Sequence, residues 1–144
     1  MIYEKMKKKH KLTSSMEDYL EAISVLGEEK GIVRVRDIGK VMKVKAPSVT
    51  GALKILSSKG LILHERYGYV DLTEEGKEMA GRIRKRHDTL IEFLTQVLGV
   101  DEKTAETDAC RIEHAISPMT FMNLVKFVKE AAKGKKNRTR KADK

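Results

Sequence analysis

The chain has 144 residues, a formal net charge of +9 and an apolar fraction of 40%, with no Trp. This length can bury the core of one ordinary domain, or of two small domains that share a core. No apolar run reaches the roughly 20 residues that cross a bilayer, and the N-terminus lacks the apolar stretch of a secretion signal. With a single cysteine there is no intramolecular disulfide, so a reducing, cytoplasmic location without a membrane partner is expected.

The positive charge is unevenly distributed. Residues 1–72 and 133–144 are basic, whereas residues 73–132 are slightly acidic. Lys and Arg side chains release counterions from a phosphate backbone, so the basic regions favour a polyanionic partner. A basic surface that serves only solubility would give the same composition, and charge alone leaves both interpretations open.

The sequence of the first half of the chain predicts helices and short strands in a defined order. A basic arm of about a dozen residues precedes a helix that starts at Ser14-Ser15 and runs to about Gly27. Three of the four residues 32–35 are β-branched and predict a small strand, and a short helix over 36–42 follows. The elements after it are a turn at 43–45, a helix over 46–58 with Pro47 in its first turn and Gly60 behind it, and a hairpin of strands 61–65 and 69–72.

This order of elements is the layout of a winged helix-turn-helix. In such a module the second helix of the pair enters the major groove, while the first crosses the DNA backbone. Small residues at the start of the helix permit a close approach to the groove, and flanking lysines can contact phosphates. The candidate DNA-binding residues are Lys43, Lys45, Ala46, Pro47, Ser48, Thr50 and Lys54, with Arg66 and Tyr67 at the tip of the wing. A winged helix that docks protein is the alternative, and no Arg, Asn or Gln at the helix start identifies a base contact.

The second half predicts three helices. The first runs from Thr73 to about Leu98, the second from an Asp101 cap to about Ser117, and the third starts at Ser117-Pro118. Apolar residues cover more than one face of the last helix, which favours packing against a second subunit. The candidate dimer-interface residues are Met119, Met122, Val125 and Phe127. Residues 133–144 are rich in Lys and Arg and predict a disordered tail.

Cys110, Glu113 and His114 form the strongest chemical pattern. Their i, i+3, i+4 spacing places them on one face of a helix, and all three side chains are ligands of first-row transition metals. Glu-His pairs are also common on solvated helices. Asp18 and Glu21 form another i, i+3 pair that ordinary surface charge would explain, and a lone His87 in a core-forming helix is usually structural or exposed.

Several spaced motifs that occur in the same order are more specific than any one of them. Five stretches carry the pattern: Ser15-Met16-Glu17-Asp18-Tyr19-Leu20-Glu21, Ala46-Pro47-Ser48-Val49-Thr50, Leu72-Thr73-Glu74-Glu75-Gly76, Lys85-Arg86-His87 and Asp108-Ala109-Cys110-Arg111-Ile112-Glu113-His114. Over about residues 13–130, the chain resembles the diphtheria toxin repressor family, which includes iron-dependent and manganese-dependent transport regulators.

The resemblance implies a mainly α fold with a small β-wing: a winged helix-turn-helix domain in residues 1–72, a helical metal-binding and dimerisation domain in 73–132, and the tail in 133–144. The family's optional SH3-like domain is expected to be absent. The implied metal ligands are Asp18, Glu21, His87, Cys110, Glu113 and His114.

Three positions depart from one branch of the family or the other. Asp18 is what the manganese branch has, where the iron branch has Met. Cys110 is what the iron branch has, where the manganese branch has Glu. Ile91 stands where the iron branch has a Glu in an ancillary site, so that site is expected to be missing in its usual form, although Glu106 could replace another of its ligands.

The expected function is a transcriptional repressor, not an enzyme, in which a divalent metal orders a homodimer for binding to a pseudo-palindromic operator. A thiolate favours Fe(II), Co(II) or Zn(II), whereas carboxylates suit Mn(II). The expectation leans slightly to Fe(II) over Mn(II), with Zn(II) or Co(II) binding in vitro. A regulator that senses redox state through Cys110 and a small metallohydrolase are the alternatives, but neither explains why Asp18, Glu21, His87, Glu113 and His114 occur together.

Overall fold

The structure is a computed structural model that describes residues 12–65 and 68–142, with side chains as far as residue 134. The chain divides into two compact units, Met1–Arg84 and Lys85–Lys144. The first unit contains α1 (Ser14–Lys30), β1 (Val33–Arg34), α2 (Val35–Met42), α3 (Ala46–Ser58), β2 (Ile62–His64), β3 (Tyr69–Leu72) and the first half of α4 (Glu74–Glu92). The second contains the rest of α4, a π-helical segment (Phe93–Val97), α5 (Glu102–Ala115) and α6 (Pro118–Ala142).

The predicted fold class is confirmed: the described chain is mainly helical, with one small antiparallel sheet. The strand order is β1-β3-β2, with Val33 opposite Val70 and Leu63 opposite Asp71. The first helix is longer than predicted, because it begins after a Thr13 cap, whose side chain accepts a hydrogen bond from Met16 N, and continues to Lys30 before Gly31 ends it at φ 77°.

The core of the first unit explains where this unit ends. Leu20 and Ile23 of α1 pack with Leu53 and Leu56 of α3 and with the sheet, and all four are fully or almost fully buried. The first half of α4 adds further apolar residues to this cluster. They are Met79, Ala80 and Ile83. The first compact unit therefore includes the first half of α4.

The turn between α2 and α3 is tight. Lys43 ends α2 in the left-handed region at φ 57°, and Val44 N donates to Gly39 O at 3.0 Å. A Cβ atom on Gly39 would stand only 3.0 Å from Val44 O. Glycine at position 39 therefore lets the turn close against its own helix and sets the start of α3.

Asp37 fixes the start of α2. Its carboxylate accepts hydrogen bonds from Arg34 N and from Lys30 Nζ, both at 3.2 Å. The pKa of Asp37 lies below its usual value mainly because of the hydrogen bond from Lys30. Burial acts in the opposite direction. A carboxyl group with a lowered pKa stabilises the fold while it is ionised.

Asp37→Asn is expected to cost about 0.5–1 kcal/mol of unfolding free energy at pH 7, because Lys30 is half exposed and its charge is screened. Since the pKa is lower in the folded chain, this stabilisation is present above the unfolded pKa of about 3.9 and is lost as the pH falls below it. Urea unfolding between pH 7 and pH 2.5 should show the difference between variant and parent chain shrink. A constant difference over that range, or an equal effect of Glu29→Gln at an exposed position, would contradict the assignment.

Gly76 marks the closest backbone approach in the first unit. An added Cβ atom would lie 1.9 Å from Leu61 O. Thr73, just before α4, ties the same segments together, since its hydroxyl donates to Gly60 O at 2.7 Å and accepts from Gly76 N at 3.0 Å. The first turn of α4 therefore lies directly against the backbone that leads into β2.

The second unit has its own core, formed by Leu90, Leu94, Ala105 and Ala109. The helix predicted to run to Leu98 changes character before its end: Leu98 N bonds to Phe93 O at 3.2 Å, an i to i−5 pattern, and Gly99 follows at φ 69°. The predicted Asp101 cap is confirmed, since its side chain accepts from Thr104 N.

The end of the chain differs from the prediction. Where the sequence predicts disorder over residues 133–144, α6 continues to Ala142, and residues 143 and 144 lie outside the described part. Ala, Lys and Arg are strong helix formers and no Pro interrupts this segment, so local propensity permits the helix to continue. Among the described helices, none is long and apolar enough to cross a membrane.

Candidate functional site

A cluster of possible metal ligands lies on α5. Cys110, Glu113 and His114 follow one another at i, i+3 and i+4, and their ligand atoms all lie within 4.8 Å of one another. Cys110 and His114 are half buried, whereas Glu113 is 1% exposed. Helical spacing alone therefore brings a thiol, a carboxylate and an imidazole to one point.

Glu113 is the centre of this cluster. Its Oε2 lies 3.1 Å from Nδ1 of His87, which α4 contributes to the same unit. Its Oε1 is buried, accepts no hydrogen bond within the described residues, and lies 3.5 Å from His114 Nε2. A buried carboxylate oxygen that accepts no hydrogen bond costs free energy. Its position beside two other metal-ligand atoms, the thiol of Cys110 and the imidazole of His114, therefore fits a bound cation. The four side chains of this unit therefore have the chemistry of a transition-metal site.

Arg86 is a buried charged residue for which the sequence predicts no individual role. It lies next to His87 on α4 and is 4% exposed. Burial lowers the pKa of its guanidinium, and the attraction of Glu113 opposes that change. The sequence does carry a signal: Arg86 follows Ile83 by three residues and precedes Leu90 by four, which is the buried stripe of the helix.

Asp18 and Glu21 belong to the first unit. They lie one turn apart on α1 and both are half buried, while their neighbour Glu17 is 4% exposed. The i, i+3 spacing predicted from the sequence is therefore present on a helix face that is partly shielded from solvent. Their part in metal binding stays a prediction.

The candidate DNA-binding residues lie mainly at the turn and the start of α3. Of these, Thr50 is half buried and the other described members are exposed. The exposed ones are Lys43, Lys45, Ala46, Pro47, Ser48 and Lys54. Arg66 and Tyr67 lie outside the described residues. Two apolar residues, Val41 and Val44, are 53% and 37% exposed beside the same turn.

The candidate dimer-interface residues lie on α6 of the second unit. Met119 and Phe127 are 73% and 50% exposed, and Met122 and Val125 are half buried. Phe127 packs edge-on against Phe93, with ring centroids 6.3 Å apart. Large apolar side chains this exposed favour an intermolecular contact, but the four assignments stay predictions.

A winged helix-turn-helix unit followed by a helical unit with a transition-metal ligand set defines the class of metal-dependent DNA-binding regulators. Residues 11–70 match the N-terminal DNA-binding domain of the iron-dependent repressors, and residues 73–138 match their metal-binding and dimerisation domain. The chain belongs to this family, the diphtheria toxin repressor family. Its members are transcriptional regulators rather than enzymes. Membership of this family therefore argues against the alternative of a small metallohydrolase.

Two curated relatives are similar over most of their length. An uncharacterised helix-turn-helix transcriptional regulator of Methanocaldococcus jannaschii is 36% identical over 83% of this chain and 96% of its own. The transcriptional regulator MntR of Bacillus subtilis is 41% identical over 73% of each chain. Among solved structures, the manganese regulator SloR aligns with a TM-score of 0.69 and 28% identity, over 79% of this chain and 53% of its own. The chain thus spans about half the length of that structural relative.

Proposed function

We propose that this protein is a metal-dependent transcriptional repressor. A divalent transition metal is the co-repressor, the DNA-bound form is a homodimer on a pseudo-palindromic operator, and the regulated genes concern metal uptake. The observation that carries the proposal is the buried Glu113, whose Oε1 accepts no hydrogen bond within the described residues although Cys110 and His114 lie beside it. Such a carboxylate is compensated when a cation binds.

The proposed ligands are the six residues that the family resemblance implies. They are His87, Cys110, Glu113 and His114 together with Asp18 and Glu21. The ion supplies positive charge that cancels the mutual repulsion of the carboxylates. Because the ligands lie on separate segments of the chain, the free energy of metal binding stabilises one arrangement of those segments.

The DNA contacts follow from the helix-turn-helix. The exposed small residues at the start of α3 enter the major groove, and Lys43, Lys45 and Lys54 contact phosphates on either side. In a homodimer two such helices would lie about 34 Å apart, one turn of DNA. Arg66 and Tyr67 lie outside the described residues and stay candidates for DNA contact from the sequence alone.

Operator selection tests this proposal. Metal-stripped protein is mixed with a random pool of duplex DNA together with Mn(II), Zn(II) or, anaerobically, Fe(II), and bound duplexes are amplified. The expected result is a pseudo-palindromic sequence enriched with metal and lost with chelator. Equal enrichment of the same duplexes in the presence of chelator would show that DNA binding does not depend on this metal site. Loss of DNA binding with peroxide but not with chelator would favour Cys110 as a redox sensor.

The ion assigned to the site is Fe(II), because the Cys110 thiolate is a softer ligand than a carboxylate. The similarity to the manganese regulator SloR favours Mn(II) instead. Cys110→Glu, which introduces the residue of the manganese branch, is expected to lower the ratio of Fe(II) to Mn(II) affinity about tenfold. Anaerobic competition titrations measure this ratio, with Cys110→Ser as the control that removes the thiolate without adding charge. An unchanged ratio in the Glu variant would contradict the assignment of Fe(II).

A further inference from the structure

Arg34 and Tyr69 form a cross-strand pair on the outer face of the sheet. They lie directly opposite each other in β1 and β3, whereas their neighbours Val33 and Val70 are buried on the inner face. The guanidinium of Arg34 lies over the ring of Tyr69, 5.2 Å from its centroid, and its Nη2 donates to the Tyr69 hydroxyl at 3.4 Å. Both residues are nevertheless exposed to solvent.

The charge of Arg34 is not neutralised by an acid of the same unit. Among the described residues, its guanidinium forms no ion pair with a carboxylate. Asp37 accepts a hydrogen bond from the backbone N of Arg34, but its ion pair is with Lys30. An arginine that a ring holds in place, with N–H donors left in solvent, is well suited to bind an anion.

We propose that Arg34 binds a phosphate group of the DNA backbone and that Tyr69 is a positioning residue that holds its guanidinium. This inference rests on the proposed function, since DNA is the partner. It goes further in adding a phosphate contact at the start of α2, whereas the candidate DNA-binding residues Lys43 and Lys45 lie beyond the end of that helix.

The position of the pair between two DNA-binding elements favours a phosphate as the anion. Arg34 directly precedes α2, and the first helix of a helix-turn-helix crosses the DNA backbone. Tyr69 is the first residue of β3, the strand that follows the wing. Three further cations lie along α2 at i, i+4 and i+7, and all are exposed: Arg36, Lys40 and Lys43. A DNA strand that crosses α2 would therefore meet positive charge from one end of the helix to the other.

The ring of Tyr69 lowers the entropic cost of this contact. A free Arg side chain loses rotamer freedom when it binds, whereas contact with the ring restricts Arg34 before DNA arrives. A planar guanidinium can lie on a ring and still donate to two phosphate oxygens, which the ammonium group of a lysine cannot do. Arg34→Lys is therefore expected to bind DNA more weakly than the parent chain, although it keeps the charge.

The first test is the salt dependence of DNA binding in the metal-loaded full chain. Arg34→Gln should lower affinity about three- to tenfold for the selected operator and for an unrelated duplex alike. It should also reduce the slope of log affinity against log salt by about one. Lys103→Gln, at an exposed position of α5, removes the same charge and should leave affinity and slope unchanged. A parent-like slope in Arg34→Gln would overturn the inference.

The second test separates the charge of Arg34 from its position. Tyr69→Leu removes the ring and should lower operator affinity about threefold, with a salt slope equal to that of the parent chain. Tyr69→Phe keeps the ring and should bind like the parent. In an Arg34→Gln background, Tyr69→Leu should have no further effect. Equal losses from Tyr69→Leu in the two backgrounds would overturn the positioning role of Tyr69.

Failure of the inference and failure of the proposed function are distinguishable in the same titrations. If the parent chain selects no operator with or without metal, the proposed function is wrong and the inference with it. If the parent chain binds its operator and Arg34→Gln binds it with equal affinity and slope, the inference alone is wrong. Metal affinity in the absence of DNA should be the same in Arg34→Gln as in the parent chain, and a change would contradict a role confined to DNA binding.

Discussion

Glu113→Gln is expected to lower metal affinity by at least about 100-fold and to abolish metal-activated DNA binding at micromolar metal. Loss of a residue that merely orients a ligand typically costs 10- to 100-fold, and Glu113 is assigned as a ligand itself. The amide keeps the size of the carboxylate but removes the negative charge that favours a cation. Because Glu113 is buried, its negative charge interacts more strongly with a cation than the charge of an exposed acid does.

The matched control is Glu102→Gln, an exposed residue in the first turn of the same helix. Isothermal titration with Mn(II) and with Co(II) gives the affinities, and circular dichroism shows whether each variant is folded. Glu102→Gln should bind metal like the parent chain. Parent-like affinity in a folded Glu113→Gln variant would contradict the assignment of Glu113 as a ligand.

Gly76→Ala is expected to destabilise the first unit by about 3 kcal/mol or more, because the new methyl group would overlap Leu61 O and the backbone cannot move away without breaking neighbouring contacts. Thr73 holds both segments at this point through its two hydrogen bonds. For a unit of this size the loss corresponds to a fall in Tm of more than about 10 °C.

Gly81→Ala on the same helix provides the control. Its Cβ atom would meet nothing within 4 Å, so the higher helix propensity of Ala should raise stability by up to about 1 kcal/mol. Thermal unfolding of both variants measures the contrast. Gly76→Ala with a Tm equal to that of the parent chain would refute the close approach between α4 and the backbone before β2.

Local patterns of the sequence predict most of the elements. The helix over 46–58 and the Asp101 cap occur as predicted, because a Pro at the first turn and an Asp cap act within a few residues. The π-helical segment at Phe93–Val97 has no such local signature. It follows from how this turn packs in the second unit, which a periodic pattern cannot show.

The candidate site was predictable in part for the same reason. Cys110, Glu113 and His114 come together because helix periodicity fixes their spacing. His87 is far from them in sequence, so periodicity alone could not bring it to Glu113, and only the resemblance to a family suggested it. Arg86 was missed because a charged residue on a buried stripe is normally assigned to the surface.

Metal binding and operator binding are expected to be coupled. The most direct measurement of this coupling is the affinity for the metal with and without the selected operator. By reciprocity, a metal that tightens DNA binding by some factor must itself be bound more tightly by that factor when DNA is present. The expected result is equal factors of about 10- to 100-fold from fluorescence anisotropy of the duplex and from metal titration. Metal affinity that is the same with and without operator would contradict the account.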